Sequence, residues 1–179
     1  MDISSNAEAR IVWMKGLGNN FLAKDFNDFY GVGAGGQLMT PINFGLELNY
    51  NLMFSSVKYG HENKVGNLGS QKLSEINLSI VHKNSINEDL SIEQSVGFSI
   101  LRLNSTLYPG NESYSEGKGG LSLQLKGVYT LDNEGTQQFV LGIKGNTFSS
   151  GTVNQNPEIQ KYYRTSFLIG VTASYRYNF

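Results

Sequence analysis

The sequence predicts an all-β fold, an eight-stranded antiparallel up-and-down barrel whose strands are long enough to cross a membrane. Segments in which apolar and polar residues alternate recur along the whole chain, and the connections between them are by turns short and long. The last segment alternates over more than ten residues, with apolar or aromatic side chains at every odd position from Phe167 to Phe179. Strands of soluble domains usually have about 5–6 residues, whereas a slanted membrane strand needs roughly 9–11.

The composition is compatible with this fold and excludes several others. We expect a single domain over residues 1–179, with strands from about residue 8. No run of 18 apolar residues predicts a transmembrane helix, and a mean hydropathy of -0.28 is uninformative because a barrel carries its apolar residues in alternation. A net charge of -1 without a basic run argues against a nucleic-acid partner. The absence of cysteine excludes disulfides and thiolate metal sites.

Each alternating segment is predicted to be one strand. The predicted strands are 8–16, 29–40, 43–59, 70–83, 89–103, 117–131, 136–149 and 162–179. The short connections, 40–42, 84–88 and 132–135, contain turn residues such as Pro41 and Gly135. The longer, polar connections are about 17–28, 60–69, 104–116 and 150–161. With eight strands, both chain termini lie on the side of the short turns.

The aromatic-rich last strand with its terminal Phe resembles the closing strand of small bacterial outer-membrane β-barrels of the OmpA/OmpX type. The resemblance implies short periplasmic turns, longer extracellular loops and an outer-membrane location. It also implies that Tyr175, Tyr177 and Phe179 form the insertion signal read by the barrel insertion machinery. Other implied partners are outer-membrane lipid, lipopolysaccharide and further outer-membrane proteins. Since residues 1–5 show no signal peptide, we expect that one has been removed.

Alternation alone does not say which face points outward, because a soluble lipocalin-like barrel alternates with its apolar residues inside. Here the polar face is rich in Gly, Ser and Asn, which suits a narrow lumen, and the apolar face stays apolar along nearly the full strand. Tyr and Phe also gather toward strand ends, as membrane-interface girdles require. The predicted periplasmic girdle is Phe44, Tyr129, Phe139, Tyr177 and Phe179, and the outer girdle is Phe54, Tyr30, Tyr163 and Phe167.

With these faces, the lumen receives a set of charged residues from most of the strands. For the first strand we prefer the phase that points Arg10 inward, although Val12 and Met14 then point inward too. We expect an ion-pair layer near the periplasmic mouth and a second layer above it, because unpaired charges in a narrow lumen are costly. The first layer is Glu47, Glu93, Lys126 and Arg176, the second is Glu75 and Lys144, and Arg176 is expected to pair with Glu47 or Glu93.

The sequence offers little that points to catalysis. His61 lies in a predicted outer loop, and His82 lies near a periplasmic turn with lipid-facing parity. Some eight-stranded outer-membrane barrels modify lipid A with a His, a Ser and a carboxylate, but no spacing here identifies a nucleophile. The glycine run from Gly31 alternates within a strand, so it is not a phosphate loop. We expect no enzyme activity, no cofactor and no metal site.

The sequence therefore predicts a plugged outer-membrane barrel with a structural role or a role in interactions. It would act through its outer loops or as an accessory subunit of a membrane complex. A narrow channel for small solutes is the first alternative. A lipid A-modifying enzyme is the second.

Overall fold

The fold is a closed barrel of eight antiparallel strands, each paired with its neighbour in sequence and β1 paired with β8. This computed structural model describes residues 3–61, 68–107, 113–149 and 156–179. The prediction of an eight-stranded up-and-down barrel is confirmed. The strands are β1 Ser4–Leu17, β2 Phe29–Met39, β3 Phe44–Ser55, β4 Leu68–Ser85, β5 Leu90–Leu107, β6 Ser113–Thr130, β7 Gln137–Ser149 and β8 Thr165–Asn178. The helices are α1 Phe21–Lys24 and α2 Pro157–Arg164.

The two ends of the barrel differ. The terminal end carries both chain termini and the connections 40–43, 86–89 and 131–136. The loop end carries the connections 18–28, 56–67, 108–112 and 150–164, with α1 and α2 among them. No helix in the described part of the chain is long and apolar enough to cross a membrane.

Two of the turns at the terminal end depend on a residue with positive φ. Asn43 has a φ of 63° and closes its turn with a backbone hydrogen bond to Thr40 O at 3.0 Å. Gly135 has a φ of 72°, a value that glycine adopts without a steric penalty. Beside it, hydrogen bonds from Thr136 Oγ1 and the Gln137 amide hold the pKa of Asp132 below its usual range. These turns bring neighbouring strands into register without a long connection.

Strand boundaries differ from the predicted ones mainly at the loop end. At that end β3 ends at Ser55 rather than at residue 59, and at the terminal end β1 begins at Ser4 rather than at residue 8. Residues 157–164 form α2, so β8 begins at Thr165 rather than at residue 162. The helix begins with Asn156 as its N-cap, whose side chain accepts from Glu158 N, and with Pro157 in the first turn. The prediction of a loop and a strand in this segment is therefore wrong, and the capping pattern is the local signal for the helix.

The outer wall is apolar over most of the length of the strands. Leu121, Leu123 and Leu125 project outward from β6 with half or more of their surface exposed. Equivalent outward residues are Leu46 and Leu48 on β3, Ile76, Leu78 and Ile80 on β4, Val96, Phe98 and Ile100 on β5, Leu141 and Ile143 on β7, and Ile169 and Val171 on β8. A continuous apolar surface of this size is foreign to a soluble monomer. Apolar residues therefore cover the outside, opposite to the arrangement in a lipocalin-like barrel.

The interior has three zones along the barrel axis. Near the terminal end its wall carries buried apolar side chains: Met39, Val81, Val128 and Val140. The middle is polar and charged. Toward the loop end a second apolar cluster fills it, which we call the plug: Val12, Met14, Phe21, Leu22, Phe26, Phe29, Met53, Leu73, Leu101, Leu103, Phe148 and Leu168. The interior is therefore polar in its middle zone and apolar toward the loop end.

Helix α1 lies in the barrel mouth and supplies part of the plug. Its first residues, Phe21 and Leu22, are buried, and Asn20 caps its start by accepting from Ala23 N at 3.1 Å. The helix approaches β1 closely at Gly16, where a Cβ would lie 2.6 Å from Ala23 N. Glycine at position 16 is therefore what admits the helix to this position.

Candidate functional site

Arg176 on β8 organises the charged middle zone. Its Nη1 and Nη2 atoms donate to the two carboxylate oxygens of Glu93 at 2.6 and 2.8 Å. Its Nε and Nη2 atoms donate to Glu8 at 3.2 and 3.0 Å. Both acids have a second polar neighbour, since Ser174 donates to Glu8 at 2.7 Å and Gln37 to Glu93 at 2.9 Å. One planar guanidinium thus satisfies carboxylates from two other strands, a geometry that lysine lacks.

Lys126 and Arg10 extend this network toward Glu47. The Lys126 ammonium is hydrogen-bonded to Glu47 and lies 3.8 Å from Glu8 and 4.0 Å from Glu93. Arg10 lies 3.1 Å from Glu8 and 4.0 Å from Glu47. Each base therefore touches more than one acid, so the charges form a network rather than isolated pairs.

Two glycines of β2 make room for Arg10 in this network. A Cβ at Gly35 would lie 2.7 Å from Arg10 Nη2, and one at Gly33 would lie 3.1 Å from Arg10 Cγ. The Arg10 side chain passes over these positions to reach Asn49 and Glu47 on β3, because they carry no side chain. The glycine run that begins at Gly31 therefore serves packing inside the barrel.

A second, separate group of charges lies further toward the loop end. Lys144 Nζ is 2.7 Å from Glu75 Oε1. Glu75 also accepts from Asn51 at 2.8 Å, from Ser99 at 3.0 Å and from Asn146 at 2.8 Å. A fully buried carboxylate with this many donors is stable as the anion without exposure to water.

The structure places the seven predicted lumen residues inside, namely Arg10, Glu47, Glu75, Glu93, Lys126, Lys144 and Arg176, each with less than 5% of its surface exposed. Glu75 and Lys144 form one group and the other five residues form the other, in which Arg176 contacts Glu93. Glu8 is absent from the predicted set because the predicted first strand only begins there, and its parity with Arg10 is the signal that could have found it. With Glu8 included, the network around Arg176 holds three acids and three bases, and the second group adds one of each.

At the loop end, three connections meet at the carboxylate of Asp25. Tyr162 on α2 donates its hydroxyl to Asp25 Oδ2 at 2.8 Å, and His61 Nδ1 lies 3.0 Å from Asp25 Oδ1. Burial and the hydrogen bond to Asp25 raise the pKa of the Tyr162 phenol. Lys58 adds two hydrogen bonds to this contact between connections, since its backbone amide donates to Asp25 O and its ammonium to Ala23 O. We call this cluster of Asp25, Lys58, His61 and Tyr162 the cap.

The cap contains two of the three side-chain types found in the catalytic triad of a hydrolase. A carboxylate that orients a histidine is the base half of a catalytic triad. Within the described residues, His61 has no hydroxyl or thiol in hydrogen-bond contact that would serve as nucleophile. Nor does any group of three His, Asp or Glu side chains in that part of the chain offer a metal site. His82, the other histidine, faces outward and stacks on Phe44 with ring centroids 4.5 Å apart.

The predicted girdle residues divide into two groups. Eight of the nine face outward with 42% or more of their surface exposed: Phe44, Tyr129, Phe139, Tyr177 and Phe179 at the terminal end, and Tyr30, Phe54 and Phe167 toward the loop end. The prediction that Tyr163 belongs to the outer girdle is wrong, because Tyr163 lies in α2 rather than in a strand. Its ring packs inward on Phe21, with centroids 5.4 Å apart, and against the plug. Tyr175, the remaining insertion-signal residue, faces outward and donates to Gln137 at 3.0 Å.

Comparison with known proteins gives a match of fold and none of sequence. No family model matches the chain, and no curated protein has a significant match. Neisserial surface protein A is similar with a TM-score of 0.69 and 12% identity, over 99% of this chain and 97% of that one. A major outer membrane protein of Thermus thermophilus has a TM-score of 0.64 at 12% identity, and Ail of Yersinia pestis 0.63 at 8% identity, each over 100% of both chains.

These similarities cover the whole barrel at very low sequence identity. They agree with the closed eight-stranded sheet described above. The chain has the fold of the small eight-stranded outer-membrane β-barrels.

Proposed function

We propose that the chain is an integral protein of a bacterial outer membrane, with a closed lumen, that acts by presenting its loop end to a partner outside the cell. The apolar outer wall supports the membrane placement, because only lipid would cover so large an apolar surface on all sides of a barrel. The fold shared with Neisserial surface protein A supports the choice of membrane. By analogy with that fold, the terminal end is periplasmic and the loop end is extracellular.

The filled interior is the observation that carries the proposal of a closed lumen. A solute crossing the barrel would first have to displace the plug, in which Phe29, Met53 and Leu73 are fully buried. It would then meet the network around Arg176, where every base contacts an acid. Separating these pairs leaves unpaired charges in a space from which water is largely excluded. The barrel is therefore proposed as a scaffold and not as a channel.

Part of the loop end suits contact with a partner because three of its connections are joined to each other. Asp25 ties α1, the connection around His61 and α2 together, so this surface keeps a defined shape. Tyr59 projects from it with 98% of its surface exposed, and Ile159 on α2 is also exposed. Exposed aromatic and aliphatic side chains on an ordered surface are typical anchors of protein interfaces.

Single-channel recording tests the closed lumen. The refolded protein is inserted into a planar lipid bilayer, and its insertion is verified independently by protease protection of the strands. We expect no discrete conductance steps, because the plug and the charge network leave no continuous aqueous path. Reproducible steps of one amplitude would contradict the proposal and favour a narrow transport channel.

A further inference from the structure

The charges of the strands are separated by sign and by face. All acidic strand side chains that the structure describes point into the barrel: Glu8, Glu47, Glu75 and Glu93. The charged side chains that project outward from the described parts of the strands are basic: Lys15, Lys72 and Arg102. All three lie toward the loop end of their strands. The outer wall therefore carries positive charge at one end of its apolar band.

Lys72 and Arg102 lie at the height where that apolar band ends. We call the girdle at the terminal end the lower girdle and the one toward the loop end the upper girdle. On β4, Lys72 is ten residues beyond His82, which pairs with Phe44 of the lower girdle. On β5, Arg102 is twelve residues beyond Leu90, which pairs with the girdle residue Tyr129. A strand tilted by about 40° rises roughly 2.5 Å per residue, so these side chains lie about 25–30 Å above the lower girdle. That is the thickness of the apolar band of such barrels, about 25 Å.

The two basic side chains are neighbours on one surface. In the β4–β5 register Lys72 pairs with Asn104, and Arg102 pairs with Ser74. Since directly paired residues share a face, Lys72, Ser74, Arg102 and Asn104 form one outward patch. Phe54 of the upper girdle pairs with Lys72 and adjoins the patch. We call these four residues together with Ser115 the basic patch.

The guanidinium of Arg102 is oriented by a neighbouring strand and has no carboxylate partner among the described side chains. Its Nε donates to Ser115 Oγ on β6 at 2.7 Å, which orients the plane of the group. Among the residues that the structure describes, neither Arg102 nor Lys72 contacts a carboxylate. A guanidinium oriented through its Nε can bind phosphate in a bidentate manner through its Nη groups, and a lysine nearby adds a point charge.

We propose that the basic patch binds a phosphate group of lipid A in the outer leaflet. The inference rests on the outer-membrane placement proposed above. The patch supplies hydrogen-bond donors at the level of the lipid headgroups, and the adjacent apolar wall of Phe98 and Ile100 would contact the acyl chains. Positive charge directly above an apolar surface matches a phosphorylated glycolipid, whose phosphate lies directly above its acyl chains. A protein partner would bring no acyl chains to this part of the wall.

The test measures how tightly the purified barrel and its variants bind bisphosphorylated lipid A in detergent. The lipid is titrated, and the bound fraction is read by native mass spectrometry. The variants are Lys72→Gln, Arg102→Gln and the double substitution. Lys161→Gln is the matched control, because it removes the same charge from an exposed position on α2. A basic side chain near an anionic lipid surface contributes about a fivefold change in affinity. We expect about fivefold weaker binding for each single variant, about 25-fold for the double variant and no change for the control.

The outcomes separate this inference from the proposed function. If the double variant binds lipid A as tightly as the unaltered chain, the patch is not the site. If phosphatidylglycerol binds as tightly as lipid A and with the same dependence on Lys72 and Arg102, the patch is an unspecific anionic surface and the proposal of a lipid A site is wrong. Insertion of every variant into vesicles, measured by protease protection, reports on the membrane placement independently. A barrel that inserts but shows no effect of the substitutions refutes only this inference.

Discussion

Replacing Arg176 by Met is expected to destabilise the barrel by about 3–5 kcal/mol, the largest effect of any single substitution considered, because an uncompensated buried carboxylate is strongly unfavourable. The substitution removes the guanidinium from Glu8 and Glu93, which stay buried. Glu8 keeps Arg10 at 3.1 Å and the Ser174 hydroxyl, whereas Glu93, among the described side chains, keeps the Gln37 amide and the Lys126 ammonium at 4.0 Å. Equilibrium unfolding in urea, followed through tryptophan fluorescence, measures the free energy of unfolding.

Arg164→Met on α2 is the matched control for this prediction. Arg164 is exposed, so the same chemical change there is expected to alter the free energy of unfolding by less than about 0.5 kcal/mol. Adding Glu93→Gln to Arg176→Met should recover part of the loss, since one buried acid and one buried base are then removed together. Equal effects of Arg176→Met and Arg164→Met would show that the charge network does not stabilise the interior.

Replacing Leu123 by Arg is expected to destabilise the barrel in a lipid bilayer by about 2–4 kcal/mol, because a charge near the middle of the apolar band loses its hydration. Leu123 faces outward on β6 with 63% of its surface exposed, six residues beyond the girdle residue Tyr129. At roughly 2.5 Å per residue it lies about 15 Å above that girdle, close to the middle of the band. Urea unfolding from vesicles reports the change.

Ser149→Arg provides the depth control. Ser149 also faces outward, but it lies ten residues beyond Phe139 on β7 and near the loop end. At the interface an arginine costs only about 0–1 kcal/mol. A similar small effect of both substitutions would mean that Leu123 faces water, and the membrane placement would then be wrong.

Alternation made the faces of the strands predictable. Arg176 lies between Tyr175 and Tyr177, so a single phase decides that it points inward, and a shift of one residue would expose it to the apolar side. Position along each strand then placed Glu93 near Arg176 and Glu75 near Lys144. These are consequences of the geometry of one strand at a time, which the sequence shows directly.

The plug and the cap depend on contacts that no single strand reveals. Val12, Met14 and Leu168 interrupt the polar pattern of the inner face. The sequence gives no reason for these apolar residues, because they pack against α1 in the barrel mouth. Asp25 and His61 are 36 positions apart in the chain and meet only through the folding of two loops. Helix α2 left a local signal in its N-terminal Asn-Pro pair, whereas the joining of the loops left none.

The alternation of environments along β6 in a bilayer tests the central claim most directly. The chain has no cysteine, so single cysteines at 121–125 can each carry a nitroxide label, whose collision rates with oxygen and with a water-soluble nickel chelate are measured by electron paramagnetic resonance. We expect labels at the outward positions Leu121, Leu123 and Leu125 to collide often with oxygen and rarely with nickel, because they meet lipid. Labels at the inward positions Ser122 and Gln124 should be shielded from both. Strong collision with nickel at the outward positions would contradict the account.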